Sequence, residues 1–127
     1  MNSVGQIEKL YQAYNGKAHL YVIYIREAHP VGGLRRPPDQ FQIPDPKTLK
    51  EREKVAQEFA AAVKLSIPIL VDAIDDQVEK AYAGWPDRLF VIDRKGKIAY
   101  KGAPGPRGLQ PALKDAPGVL DKLLEDR

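Results

Sequence analysis

Trp-Pro-Asp-Arg-Leu-Phe-Val-Ile-Asp-Arg-Lys-Gly-Lys-Ile-Ala-Tyr, residues 85 to 100, is the stretch that decides the fold. Leu89 to Asp93 and Lys97 to Lys101 are two strand-length runs joined by Arg94-Lys95-Gly96, with Asp and Gly where a tight turn prefers them. They predict an antiparallel hairpin. Pro86 stands immediately before its first strand, a position where proline's missing N–H is tolerated.

Outward from the hairpin, the N-terminal side alternates helix and strand. Val4, Ile7, Leu10, Tyr11 and Tyr14 recur at helical spacing, which predicts an amphipathic helix over about residues 3 to 15, stopped by Asn15-Gly16. His19 to Ile25 is almost continuously apolar and rich in β-branched and aromatic residues, as in a parallel strand covered on both faces. Residues 26 to 46 hold five of the eleven prolines and a Gly-Gly pair. They predict a long irregular loop, longer than most connections in compact domains and therefore a candidate for function; an interdomain linker is the alternative. Thr48 and Glu51 are spaced as a capping box, opening a helix with Val55, Ala56, Phe59, Ala60 and Val63 on one face. Ile67 to Asp72 reads as a short buried strand, and Asp75 as the cap of a brief helix ended by Gly84. Past the hairpin, Pro104, Gly105 and Pro106 argue against regular structure, and a last helix falls between Pro111 and Glu125. The order implies an α/β fold with a mixed sheet.

At 127 residues the chain is expected to be one domain, spanning 1–127, with a single core. Its 43% apolar and 29% charged residues belong to the globular class. A net charge of +3, evenly mixed with acids, does not argue for nucleic acid. No run approaches the roughly 20 apolar residues of a membrane span, and no secretory layout opens the chain, so the expected location is cytoplasmic. There is no cysteine. That excludes a disulfide framework, a thiolate metal site and a resolving thiol, and no cofactor is expected.

In open α/β sheets, ligands collect at the C-terminal ends of parallel strands. Arg26, Glu27, Ala28 and His29 follow directly on the apolar strand. If the Leu89 strand runs antiparallel, Trp85-Pro86-Asp87-Arg88 lies at the same edge. Glu27, His29 and Arg88 would then offer a carboxylate, an imidazole titrating near neutral pH and a fixed cation, enough to orient and protonate an anionic or phenolic substrate. Each has a structural alternative: Glu27 pairs with a neighbouring Arg, His29 bonds backbone in a loop, Arg88 pairs with Asp87 or Glu27, and Trp85 packs at a core rim.

Five blocks carry a resemblance. Tyr-Ile-Arg-Glu-Ala-His-Pro (24 to 30), Phe-Gln-Ile-Pro with Leu-Lys-Glu-Arg (41 to 44 and 49 to 52), Pro-Ile-Leu-Val-Asp (68 to 72), Ala-Tyr-Ala-Gly-Trp-Pro-Asp-Arg-Leu-Phe-Val-Ile (81 to 92) and Ile-Ala-Tyr-Lys-Gly-Ala-Pro-Gly-Pro (98 to 106) resemble, in order, the iodothyronine deiodinase family, particularly its bacterial members. The resemblance implies a thioredoxin-like three-layer fold with an insertion after the second core strand. It also implies reductive removal of iodine from iodinated phenols through a cysteine or selenocysteine, and a thiol reductant. Glu27, His29 and Arg88 match family residues associated with substrate and catalysis, with Trp85 and Pro86 beside the substrate. Thioredoxin-like folds hold a cis proline before the strand at this position, which predicts a cis Trp85–Pro86 bond; a trans proline opening a strand is the alternative. Two positions depart from the family: Pro46 replaces a His of the insertion, and Leu34 replaces a Trp.

By resemblance the Val4 helix follows the nucleophile, so the first core strand and its chalcogen are missing from this sequence and would lie upstream of Met1. The exposed flanking strands then need an earlier start to the protein, direct pairing with each other, or a strand from another chain, as in a homodimer. Two functional expectations follow. One is a deiodinase-like reductase of which this chain is the nucleophile-less remainder. The other is a non-catalytic thioredoxin-like module that binds a small aromatic ligand or a protein partner around His29, Trp85 and Arg88.

Overall fold

The computed structural model describes residues 3–26 and 46–125. Its elements are α1 (Ser3–Tyr14), β1 (Val22–Tyr24), α2 (Leu49–Ala62), β2 (Ile69–Val71), α3 (Gln77–Tyr82), β3 (Phe90–Ile92), β4 (Ile98–Lys101) and α4 (Pro106–Glu125). The chain is α/β, with one parallel and one antiparallel strand pair, consistent with a thioredoxin-like fold. It divides into two compact units: Met1–Leu20 with Asp87–Arg127, and Tyr21–Pro86.

In the Tyr21–Pro86 unit, β1 and β2 run parallel, with Ile23 opposite Leu70. Thr48 caps α2 by accepting from the Glu51 amide at 3.1 Å, while Glu51 Oε2 accepts from the Lys47 amide at 3.0 Å. The apolar stripe of α2 buries Val55 and Ala56, and the rings of Phe59 and Tyr24 meet at 5.9 Å. The other side of the strand pair is open: Ile23 and Leu70 are 41% and 47% exposed. Among the described residues of this unit, the apolar run around β1 is thus covered on one face rather than both. An uninterrupted apolar strand supplies the surface for two layers but does not itself provide the second one.

Asp72, at the end of β2, is 2% exposed and accepts from two amides at the start of α3, Val78 to Oδ1 and Glu79 to Oδ2, each at 2.9 Å. The cap therefore comes from Asp72 and not Asp75: α3 starts at Gln77 after Asp76, whose backbone is left-handed with φ 62. Buried Arg52 donates through Nη1 to the Ala73 carbonyl at 2.7 Å. Its Nη2 lies 2.9 Å from Asp76 Oδ1 but is not aligned as a hydrogen bond, so that attraction is coulombic.

In the other unit, β3 and β4 form the antiparallel hairpin, with Val91 opposite Tyr100. Asp93 Oδ1 accepts from the Lys95 and Lys97 amides, both at 2.9 Å, and Gly96 takes the left-handed φ of 81 that closes the turn. α4 packs on this hairpin and on α1, burying Ala112, Leu113 and Ala116. The approach is close: a Cβ on Gly102 would come within 2.8 Å of the Ala112 Cβ. α1 ends at Tyr14, with Gly16 at φ 92. α4 begins at Pro106, five residues before the expected start, and contains Pro111 and Pro117. Pro106 opens the helix because a first-turn amide has no intrahelical acceptor, so a residue without N–H loses nothing there.

Candidate functional site

Arg26 lies two residues past the end of β1, at the C-terminal edge of the parallel pair. Its Nε donates to Glu79 Oε1 at 2.8 Å, and its guanidinium carbon lies 4.7 Å from the centre of the Trp85 ring. Glu79 is 9% exposed, and its backbone amide is the one held by Asp72 Oδ2. A chain of contacts thus runs from the end of β2, through the first turn of α3, to a guanidinium laid on an indole. Burial accounts for the pairing, since a carboxylate withdrawn from water needs a cation or several donors. The Arg26 side chain remains 47% exposed and Trp85 41% exposed, so the assembly is open to solvent. The Trp85–Pro86 peptide bond is cis. Ala83, at φ 49, ends α3, and the Gly84 amide bonds back to the Glu79 carbonyl at 3.0 Å, which turns the chain toward Trp85.

Arg88 belongs to the other unit. Its Nε donates to the Gly102 carbonyl at 2.5 Å, and its guanidinium lies 5.2 Å from the centre of the Phe90 ring. The half-buried Asp87 accepts the Gly105 amide on its carbonyl at 2.9 Å, and its Oδ1 has no hydrogen-bond partner among the described residues. Burial pushes the Asp87 carboxyl above the usual carboxylate range.

Glu27 and His29 lie outside the described residues, and so does their expected convergence with Arg88. Among the described residues no cluster of three or more His, Cys, Asp or Glu side chains is placed to hold a metal ion. No helix of the described residues is long and apolar enough to cross a membrane.

One member of the Trp85 assembly, Glu79, had no mark in the sequence, and Arg26, 53 positions away, was legible only as a strand-end residue. The pairing expected for Glu27 lies outside the described residues, and the Arg26–Glu79 pair is a separate one. Chemically, the assembly offers a planar cation held at one corner, an indole beneath it and access from water. A planar cation with donors open to solvent can bind hydrogen-bond acceptors.

A family model described as iodothyronine deiodinase matches residues 1–123. The chain is 31% identical over 124 residues to a type I iodothyronine deiodinase of Xenopus laevis, covering 94% of this chain and 45% of the relative. It is 32% identical over 108 residues to a thyroxine 5-deiodinase of Sparus aurata, covering 85% and 40% respectively. With a thyroxine 5-deiodinase of Gallus gallus it shares 33% identity over 91 residues, 72% of this chain and 34% of the relative. The chain thus spans less than half the length of these curated relatives.

Proposed function

The chain belongs to the iodothyronine deiodinase family, and from that premise we propose that it forms the substrate-handling part of a deiodinase-like reductive site acting on iodinated phenols. Breaking each aryl carbon–iodine bond takes two electrons and one proton and releases iodide. The electrons come from a thiol or selenol, and none of the 127 residues is cysteine. In this reading the chalcogen lies outside these residues, and the chain alone is inactive. His29 delivers the proton at the ring carbon. By the family resemblance, Glu27 and Arg88 serve substrate binding and catalysis, and Trp85 and Pro86 serve substrate binding. The observation that carries the reading is the family match along residues 1–123.

The test is iodide release from 3,5-diiodophenol with dithiothreitol. The 127-residue chain is expected to release none. The protein extended by the in-frame coding sequence upstream of the Met1 codon, bearing a cysteine or selenocysteine, is expected to release iodide, and to lose that activity on His29→Ala. An extended protein that binds the phenol without turnover overturns the proposal. It would favour instead a non-catalytic module binding a small aromatic ligand, a reading supported by the absence of cysteine from the chain.

A further inference from the structure

We propose that Arg26 is a specificity-determining residue: its terminal guanidinium edge binds an anionic group, a carboxylate or phenolate, on an aromatic ligand seated at Trp85. The inference deepens the proposed function and rests on it for the aromatic class of the ligand.

A guanidinium has two hydrogen-bonding edges, one made by Nε with a single Nη and one made by both Nη atoms. Glu79 takes the Nε corner, with Oε1 at 2.8 Å. Among the described residues Arg26 has no other acidic partner, and its side chain is 47% exposed, so among those residues the two-Nη edge has no carboxylate on it. That edge matches the spacing of a carboxylate's two oxygens. The guanidinium does not swing freely, because it is gripped at one corner by a buried carboxylate and lies 4.7 Å from the Trp85 ring centre. Glu79 is itself fixed, since its amide is bonded to the buried Asp72. Little side-chain freedom remains to be lost when a ligand is bound.

The charge balance sets the size of the effect. Arg26 and Glu79 together are neutral, so long-range attraction for an anion is small, and selectivity comes from short-range, oriented donors. The bland alternative is that Arg26 exists only to neutralise buried Glu79. The two differ in what lysine can do: an ammonium at residue 26 restores a cation for Glu79 but not two parallel donors.

Trp85 is the only tryptophan in the chain, so its fluorescence reports this place and no other. The experiment titrates the protein with 4-hydroxyphenylacetate and with its neutral amide, for wild type, Arg26→Lys and Arg26→Gln. A bidentate contact predicts that wild type prefers the carboxylate and that both variants weaken it by about tenfold, while the amide shifts by less than about twofold. Arg26→Lys is expected to keep the wild-type melting temperature to within a few degrees, which makes it the informative variant if Arg26→Gln fails to fold. Equal weakening of both ligands, no weakening, or no response of wild-type Trp85 to either ligand overturns the inference. Calorimetric titration with 3,5-diiodophenol is run in parallel. Arg26-dependent carboxylate binding in a protein that takes no iodinated phenol would remove the deiodinase reading and leave this inference standing.

Discussion

Tyr14 is 7% exposed, and its hydroxyl donates to Asp121 Oδ1 at 2.6 Å, with the Pro117 carbonyl 3.0 Å away. The carboxylate acceptor and burial push its ionisation up from 10.0 to about 12. The stabilisation from this group is complete below pH 10 and is lost as pH rises from 10 toward about 12. Tyr14→Phe is expected to cost about 2 kcal/mol at neutral pH. It should also flatten the alkaline limb of a melting-temperature profile, which thermal unfolding by circular dichroism measures directly. Asp87 follows the same sign in the acid range. Burial favours its neutral form, so its contribution to stability is present below its ordinary 3.8 and is lost as pH rises through the raised value. Asp87→Asn is therefore expected to melt higher than wild type at pH 7, with the gap closing toward pH 3. A gap independent of pH would show that the carboxyl is not the cause.

Between one element and the next, the caps separate what was legible from what was not. The Thr48–Glu51 box and the Asp93–Gly96 turn were legible because each closes within four residues, where spacing alone determines whether the groups can meet. Asp72 also acts nearby, on the amides of residues 78 and 79, yet it looked like the end of a strand. Nothing in its neighbourhood said that the chain doubles back to bring those amides to its carboxylate. Asp72→Ala removes the acceptors of two helix amides, one buried and one part-buried, so a loss of about 2 to 3 kcal/mol is expected from urea denaturation. The same variant should release Arg26 from its fixed position, since Glu79 is anchored through this cap. Polarised Trp85 emission is expected to lose anisotropy, and unchanged anisotropy would show that Glu79 holds without Asp72. The start of α4 was misread for a different reason: proline bars the interior of a helix but is well suited to its first residue, and composition does not reveal which of the two places Pro106 occupies.

For the molecule as a whole, the lack of cysteine means that no residue of the chain changes with thiol redox state. Binding of 4-hydroxyphenylacetate, followed through Trp85, is therefore expected to give the same dissociation constant with dithiothreitol and with oxidised glutathione. A redox-dependent constant would require a reactive group that the chain does not have. By itself the sequence determined the α/β class, the hairpin, the Thr48-capped helix and membership of the deiodinase family, because these follow from periodicity, short-range spacing and the order of collinear blocks. Only the tertiary structure decided which face of β1 is covered, that Asp72 caps α3, and that Arg26, Glu79 and Trp85 form one assembly. The first and last depend on distances between residues far apart in the chain, and the Asp72 cap on how the chain doubles back after β2; all are set by packing rather than by any local preference.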